Sequence, residues 1–238
     1  MINNDLFLLL HGQTITRTFA AHFRVTSLKT TYLYCLMNKQ KPDIDRIKAA
    51  ILYVLNKTGE VDFHKLFKIL YFADQKHLVR FGREITGDRY DAIQYGPVPT
   101  ETYDLFRHLS GTDSFVSLPA EITALFGSFA FRRVANGSAK PVPMVYSDET
   151  PDLNELSPSD IDCLSSAIAE NKHLNFYALT EKSHDAAWQQ ARTEAEQTPS
   201  LDTTMEPLSI ARAGGASAEM IQYITENLAF HQLTAEVA

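Results

Sequence analysis

Residues 62–82 read DFHKLFKILYFADQKHLVRFG, and their spacing predicts one long helix at the centre of the molecule. Phe63, Leu66, Phe67, Leu70, Leu78 and Phe81 share one sector when the chain is turned at the α-helical period, which defines a buried face. Asp62 stands where an N-cap carboxylate accepts from the unpaired amides of the first turn. Gly82 stands where a left-handed residue ends a helix. Asp74 and His77 fall inside the apolar sector, three residues apart and so neighbours on the helix surface. Burying either one alone is costly, so they are expected to bond each other or a third polar group. The pair suits a general base or half of a metal site, and it also suits a polar clamp that fixes how helices cross. No nucleophile or further ligand accompanies it at recognisable spacing, which favours the clamp.

The opposite side of this helix carries Lys65, Lys68, Lys76, Arg80 and Arg83, with Ile69, Phe72 and Val79 among them. A solvated face rarely holds three large apolar residues between bases. Either another part of the chain covers it or a partner does, and a central helix packed on several sides favours the chain. If the face is open, Phe72, Val79, Lys76 and Arg80 are the candidate partner contacts.

Working outward, Ile44, Ile47, Ile51, Val54 and Leu55 predict a preceding helix that stops at Thr58-Gly59. Beyond Gly82 a turn at Gly87-Asp88 leads to an extended stretch, Tyr90–Gln94. Tyr95-Gly96-Pro97-Val98-Pro99 follows as a stiff loop, because each proline fixes φ and restricts the residue before it. Tyr95, Pro97 and Pro99 suit partner docking or a plain structural corner. A helix then opens at Pro99 or Thr100, with Tyr103, Phe106 and Leu109 as its apolar edge. Strands are expected around Ser114–Leu118 and Ser128–Val134, with Pro141, Pro143 and Pro151 marking a connecting loop. Ser157, Pro158 and Asp160 have the order of a capped helix start, and Ile161, Leu164 and Ile168 make its buried edge. His184 and Trp188, one turn apart on a continuing helix, are either a partner contact or a ring closing the core beside a capping His. Ala211, Gly215, Ser217 and Ile221 have helix-turn-helix spacing. Residues 218–228 hold Glu219, Gln222 and Glu226 but no Lys or Arg, so a helical hairpin is the better reading than a DNA reader.

The 238 residues carry 22 Lys and Arg against 29 Asp and Glu, a net charge of −7. That balance disfavours a general phosphate-binding surface. Cys35 and Cys163 make neither a disulfide framework nor a metal cluster, and a reducing, cytoplasmic setting is expected. No apolar stretch approaches the ~20 residues of a membrane helix. Residues 1–36 hold Arg17, Arg24 and Lys29 against Asp5 alone and show no period. They read as a translated leader ahead of a start at Met37, the alternative being a functional arm.

Several segments together resemble the Panacea antitoxin domain, the family that includes the phage-associated GepA-like and SocA-like antitoxins. They are Lys65 to Asp74, Gly82-Arg83-Glu84-Ile85-Thr86-Gly87-Asp88, and Tyr95-Gly96-Pro97-Val98-Pro99. Downstream come Leu156-Ser157-Pro158-Ser159-Asp160 and the stretch Leu179-Thr180 … Ser183-His184-Asp185-Ala186-Ala187-Trp188. The similarity spans residues 43–192. It implies an antitoxin that neutralises a cognate protein toxin by direct contact, with no enzymatic activity. No P-loop, dinucleotide fingerprint, HExxH or CxxC motif occurs, so no catalytic residue, metal or cofactor is expected. The toxin's identity does not carry over from the family. Alternatives are a DNA-binding regulator acting through the C-terminal hairpin, and a proteolytic adaptor presenting a toxin to a protease. The expected fold is mainly α (α+β), a helical domain around one long central helix with a small β element. The expected organisation is an arm (1–36), an antitoxin-like domain (37–192) and a C-terminal helical appendage (193–238).

Overall fold

The computed structural model describes residues 43–112, 118–135, 141–197 and 203–237, with side chains to Phe230. The expected arm and most of the Ser114–Leu118 strand lie outside the described residues.

Helix α1 (Ile44–Thr58) starts at Asp43, whose carboxylate accepts from the Arg46 amide, and ends at Gly59. After the two-residue strand β1 (Val61–Asp62), helix α2 (Phe63–Phe81) begins under the Asp62 carboxylate, 2.7 Å from the Lys65 amide. It ends at Gly82, whose φ of 72° is left-handed and whose N–H reaches the Leu78 carbonyl. A side chain at Gly82 would be strained by that φ and would meet the Tyr223 ring at 2.5 Å. Every residue from Leu66 to Asp74 is buried, so the middle of α2 is enclosed on all sides. Beyond it His77 and Leu78 stay buried, and only the end at Arg80 and Phe81 emerges. Phe81, expected on the buried face, is exposed because it is the final residue of that emerging end.

Strands β2 (Tyr90–Ile93) and β3 (Gly96–Pro99) form an antiparallel hairpin in register Tyr90↔Pro99 to Ile93↔Gly96. The expected stiff loop is therefore a strand. Its two prolines are tolerated because β3 is an edge strand, bonded to β2 alone. Helix α3 (Thr100–Leu109) and the short α4 (Ala120–Leu125) follow. Strands β4 (Ala130–Val134) and β5 (Val142–Tyr146) pair antiparallel, with β1 on the far edge of β5. Pro143 thus lies in a strand, at a position that β1, paired only with Met144 and Val145, does not reach.

Helix α5 (Pro158–Asn171) has the complete capping box, Ser157 Oγ on the Asp160 amide and the Asp160 carboxylate on the Ser157 amide. Helices α6 (Phe176–Ser183) and α7 (Ala186–Gln197) are separated by a break at His184-Asp185. Strand β6 (Thr204–Met205) pairs with β2, and helices α8 (Pro207–Ala213) and α9 (Ala218–Val237) close the chain. The fold is mainly helical with two small antiparallel sheets.

The expected boundary between residues 192 and 193 falls inside α7. The segments beyond it are no appendage. Met205, Ile210, Ala211 and Ile224 belong to the same apolar core as α2, and α8 packs on both α2 and α7. Close approach explains Gly214: a Cβ there would sit 2.7 Å from Val79 and Gln75.

Candidate functional site

Helix α2 is held by polar side chains that its own sequence neighbours do not satisfy. The Asp74 carboxylate, fully buried, accepts from the amides of Ile85 (2.7 Å) and Thr86 (3.1 Å). It also accepts from the hydroxyls of Thr86 (2.6 Å) and Tyr90 (2.7 Å). Burial raises its pKa, and the Thr86 and Tyr90 hydrogen bonds work against that rise. Asp88, also buried, performs a remote capping role. It accepts from the amides of Glu101 and Thr102 and from the Thr102 hydroxyl, so the first turn of α3 is capped from across the hairpin. Burial pushes Asp88 up to about 7. Burial pushes Glu84 up to about 8, with Asp74, Asp88 and Glu206 adding repulsion.

His77 does not bond Asp74. Its Nδ1 lies 2.8 Å from the Arg83 carbonyl, a pure acceptor, so Nδ1 carries the proton. Its Nε2 lies 3.0 Å from Ser159 Oγ and from Asp160 Oδ1. Burial lowers its pKa. Asp74 therefore ties α2 forward to the turn and β2, whereas His77 ties it to the start of α5.

The basic, partly apolar side of α2 is covered by α5 and the segment after it. Lys76 pairs with Glu170 (2.7 Å), Arg80 with Asp162 (2.5 Å) and Arg83 with Asp160 (2.8 Å). The first two pairs are exposed, and pairs of that kind add little to stability. Each fully buried Leu or Ile contributes ~1.5–3 kcal/mol, so Ile69, Leu164 and Ile168 hold the two helices together and the charges set their pairing. Phe72 is buried with the Lys182 ammonium 4.6 Å from its ring centre. Val79 is half-buried against Gly214. Phe72 and Val79 thus face the chain's own helices, whereas Lys76 and Arg80 pair with α5 at a rim that is partly open to solvent.

Pro97 and Pro99 are buried in β3, and the Pro97 carbonyl accepts from the buried Lys68 ammonium at 2.7 Å. Burial brings Lys68 down to about 7. Trp188 stacks on His184 with ring centres 3.7 Å apart and donates its indole N–H to the Ile93 carbonyl. It closes the core beside β2, and the His184 amide reaches the Thr180 and Glu181 carbonyls at the end of α6.

Tyr95 stands apart from the other expected partner residues. At the hairpin tip it is 49% exposed, with its ring centre 5.5 Å from Phe176. Phe176 is 42% exposed and meets Tyr177, 80% exposed, edge to face. Beneath Phe176 lies His64, with ring centres 4.3 Å apart and Nε2 3.1 Å from the Thr180 hydroxyl. Burial, then the nearby Lys68 charge, lowers His64 to about 4, so the ring is neutral at pH 7. Phe176 and Tyr177 were missed in the sequence, although a signal was present. Asn175 caps α6, so the two aromatics that follow it stand in the first turn of a short helix, about 100° apart around its axis.

Among the described residues no group of three or more His, Cys, Asp or Glu is placed to hold a metal ion, and no helix is long and apolar enough to cross a membrane. A protein-family model described as antitoxin SocA-like, Panacea domain, matches residues 66–189, just over half of the chain. The match runs from the first buried turn of α2, through the Asp74 and Asp88 networks and the aromatic group, to the first turn of α7. No curated protein matches the chain, and no solved structure does.

Proposed function

Because this chain belongs to the SocA-like Panacea antitoxin family, we propose that it is the antitoxin of a toxin–antitoxin pair. In this reading it acts in the bacterial cytoplasm and neutralises one cognate protein toxin by binding it, without turnover chemistry. The observation that carries the reading is the match across residues 66–189. The use of the buried polar groups supports it. Both Asp74 oxygens, both Asp88 oxygens and both His77 nitrogens are engaged by groups of the fold. Acids and imidazoles engaged in this way hold a framework and leave recognition to the surface.

The experiment is co-expression with the product of the open reading frame beside this gene, followed by purification through a tag on this chain. The toxin is expected to co-elute at fixed stoichiometry and at full length. Rapid loss of the toxin only when this chain and a host protease are both present would instead point to the adaptor alternative.

A further inference from the structure

We propose that Tyr95, Phe176 and Tyr177 form the surface that seats the toxin, and that the toxin segment seated there offers an apolar side chain flanked by carboxylates. The inference rests on the antitoxin reading and gives it a location.

Single exposed aromatics are ordinary on a protein surface, whereas contiguous ones mark interaction sites. Here three rings touch, and they come from the hairpin tip and from α6, which are distant in sequence. Tyr177 is 80% exposed, and among the described residues its ring pair is with Phe176, edge to face, so the fold makes little use of it. The ground below is rigid. His64 supports Phe176 and is fixed by Thr180, and Lys68 ties the hairpin through the Pro97 carbonyl. Rings held in place before binding lose little freedom on binding, and tyrosine is enriched among residues that dominate interface energy.

Charge decides which partner fits. Lys65 follows His64 in the chain, and its ammonium lies 3.0 Å from the Lys172 carbonyl, at the turn that leads into Phe176. Among the described residues neither Lys65 nor Lys172 has a carboxylate partner. Lys48, Lys76, Lys182, Arg80 and Arg83 each have one. On a chain of net charge −7, two lysines without a carboxylate partner among the described residues therefore stand beside His64 and at the turn into Phe176. Glu181 lies one turn along α6 from Tyr177, so the positive edge is the Lys65–Lys172 side. Such an edge attracts carboxylates and repels a basic partner.

The test uses full-length protein and two probes. The first is a displayed library of random short peptides, selected on the wild-type chain and on Lys172→Glu. Wild type is expected to enrich peptides with an aromatic or aliphatic residue beside Asp or Glu. Their binding should fall at least about tenfold in Tyr177→Ala and be unchanged in Leu153→Ala, an exposed residue on another surface. Selection on Lys172→Glu should move the flanking residues from acids towards bases. Peptides without acids, peptides that bind Tyr177→Ala equally well, or no enrichment would overturn the proposal. So would concentration-dependent self-association that Tyr177→Ala abolishes, since a second copy would then occupy the patch. The second probe is toxin neutralisation in cells. Rescue that survives Tyr177→Asp combined with Lys172→Glu overturns the docking surface while leaving the antitoxin reading intact. Acidic peptide selection without rescue by the wild type supports the surface and counts against the antitoxin reading.

Discussion

The Tyr90 hydroxyl donates to the Asp74 carboxylate at 2.7 Å, with both residues buried. This bond joins the centre of α2 to the first residue of β2, and with it the hairpin that carries Tyr95. The exposed aromatic surface is therefore positioned by a polar network in the core.

Asp74→Ala removes the acceptor of four buried hydrogen bonds. Each orphaned donor costs ~1–3 kcal/mol, and partial relaxation should leave a loss above about 3 kcal/mol. Asp74→Asn keeps acceptors for the two amides and should cost less. Urea unfolding monitored at the single Trp188 checks both, and equal stability of Asp74→Ala and wild type would contradict the network.

Glu84 is more easily protonated in the folded chain than in the unfolded one, through burial and neighbouring acids. A raised acid stabilises fully below its unfolded pKa, and that contribution is lost as pH rises towards about 8. Glu84→Gln should therefore gain stability relative to wild type between about pH 5 and pH 8, by at least about 1 kcal/mol. Melting temperatures of the two proteins across that range test it, and a constant difference would contradict it.

Lys68 behaves in the opposite sense. Burial brings its folded pKa down to about 7, so wild type should gain stability as pH rises from about 7 towards the unfolded lysine value. Lys68→Met should flatten that rise. Parallel stability curves above pH 7 would count against a buried, easily deprotonated ammonium.

At Gly96 the backbone has φ of 95°, and a Cβ would lie 2.3 Å from Ser183 Oγ and 2.8 Å from Lys68 Cε. Gly96→Ala should destabilise by more than about 2 kcal/mol, combining strain with a clash in a packed interior. Thermal unfolding gives the answer, and an unshifted melting temperature would mean that the hairpin tip readily moves aside.

Ile210 in α8 is buried in the core shared with α2. Ile210→Ala should cost about 2–5 kcal/mol in the same unfolding transition that Asp74 reports. A separate, earlier transition would restore the reading of residues 193–238 as an appendage.

The end of α1 and the caps of α2 and α5 were legible because they depend on residues within four positions, Gly59, Asp62, Gly82 and the Ser157–Asp160 box. The Asp74 partners were not, because they lie beyond the end of the helix, and periodicity shows only helical neighbours such as His77. Strand β3 was hidden by its prolines, which local rules read as a loop until pairing with β2 places them on an edge. The pairing of Lys76 and Arg80 needed α5, whose Glu170 and Asp162 lie 94 and 82 residues downstream of them, and the covering of Phe72 needed Lys182 of α6. Tyr95 was read as part of a stiff loop suited to docking or to a corner, and its neighbours Phe176 and Tyr177 come from α6, a distance in sequence that no spacing rule spans.

The most direct measurement is growth of a bacterial host in which each open reading frame flanking this gene is induced alone, and then together with this chain. The account predicts that one neighbour arrests growth and that co-expression of this chain restores it. Arrest by a neighbour that this chain fails to relieve, or no toxic neighbour at all, would contradict the assignment as an antitoxin.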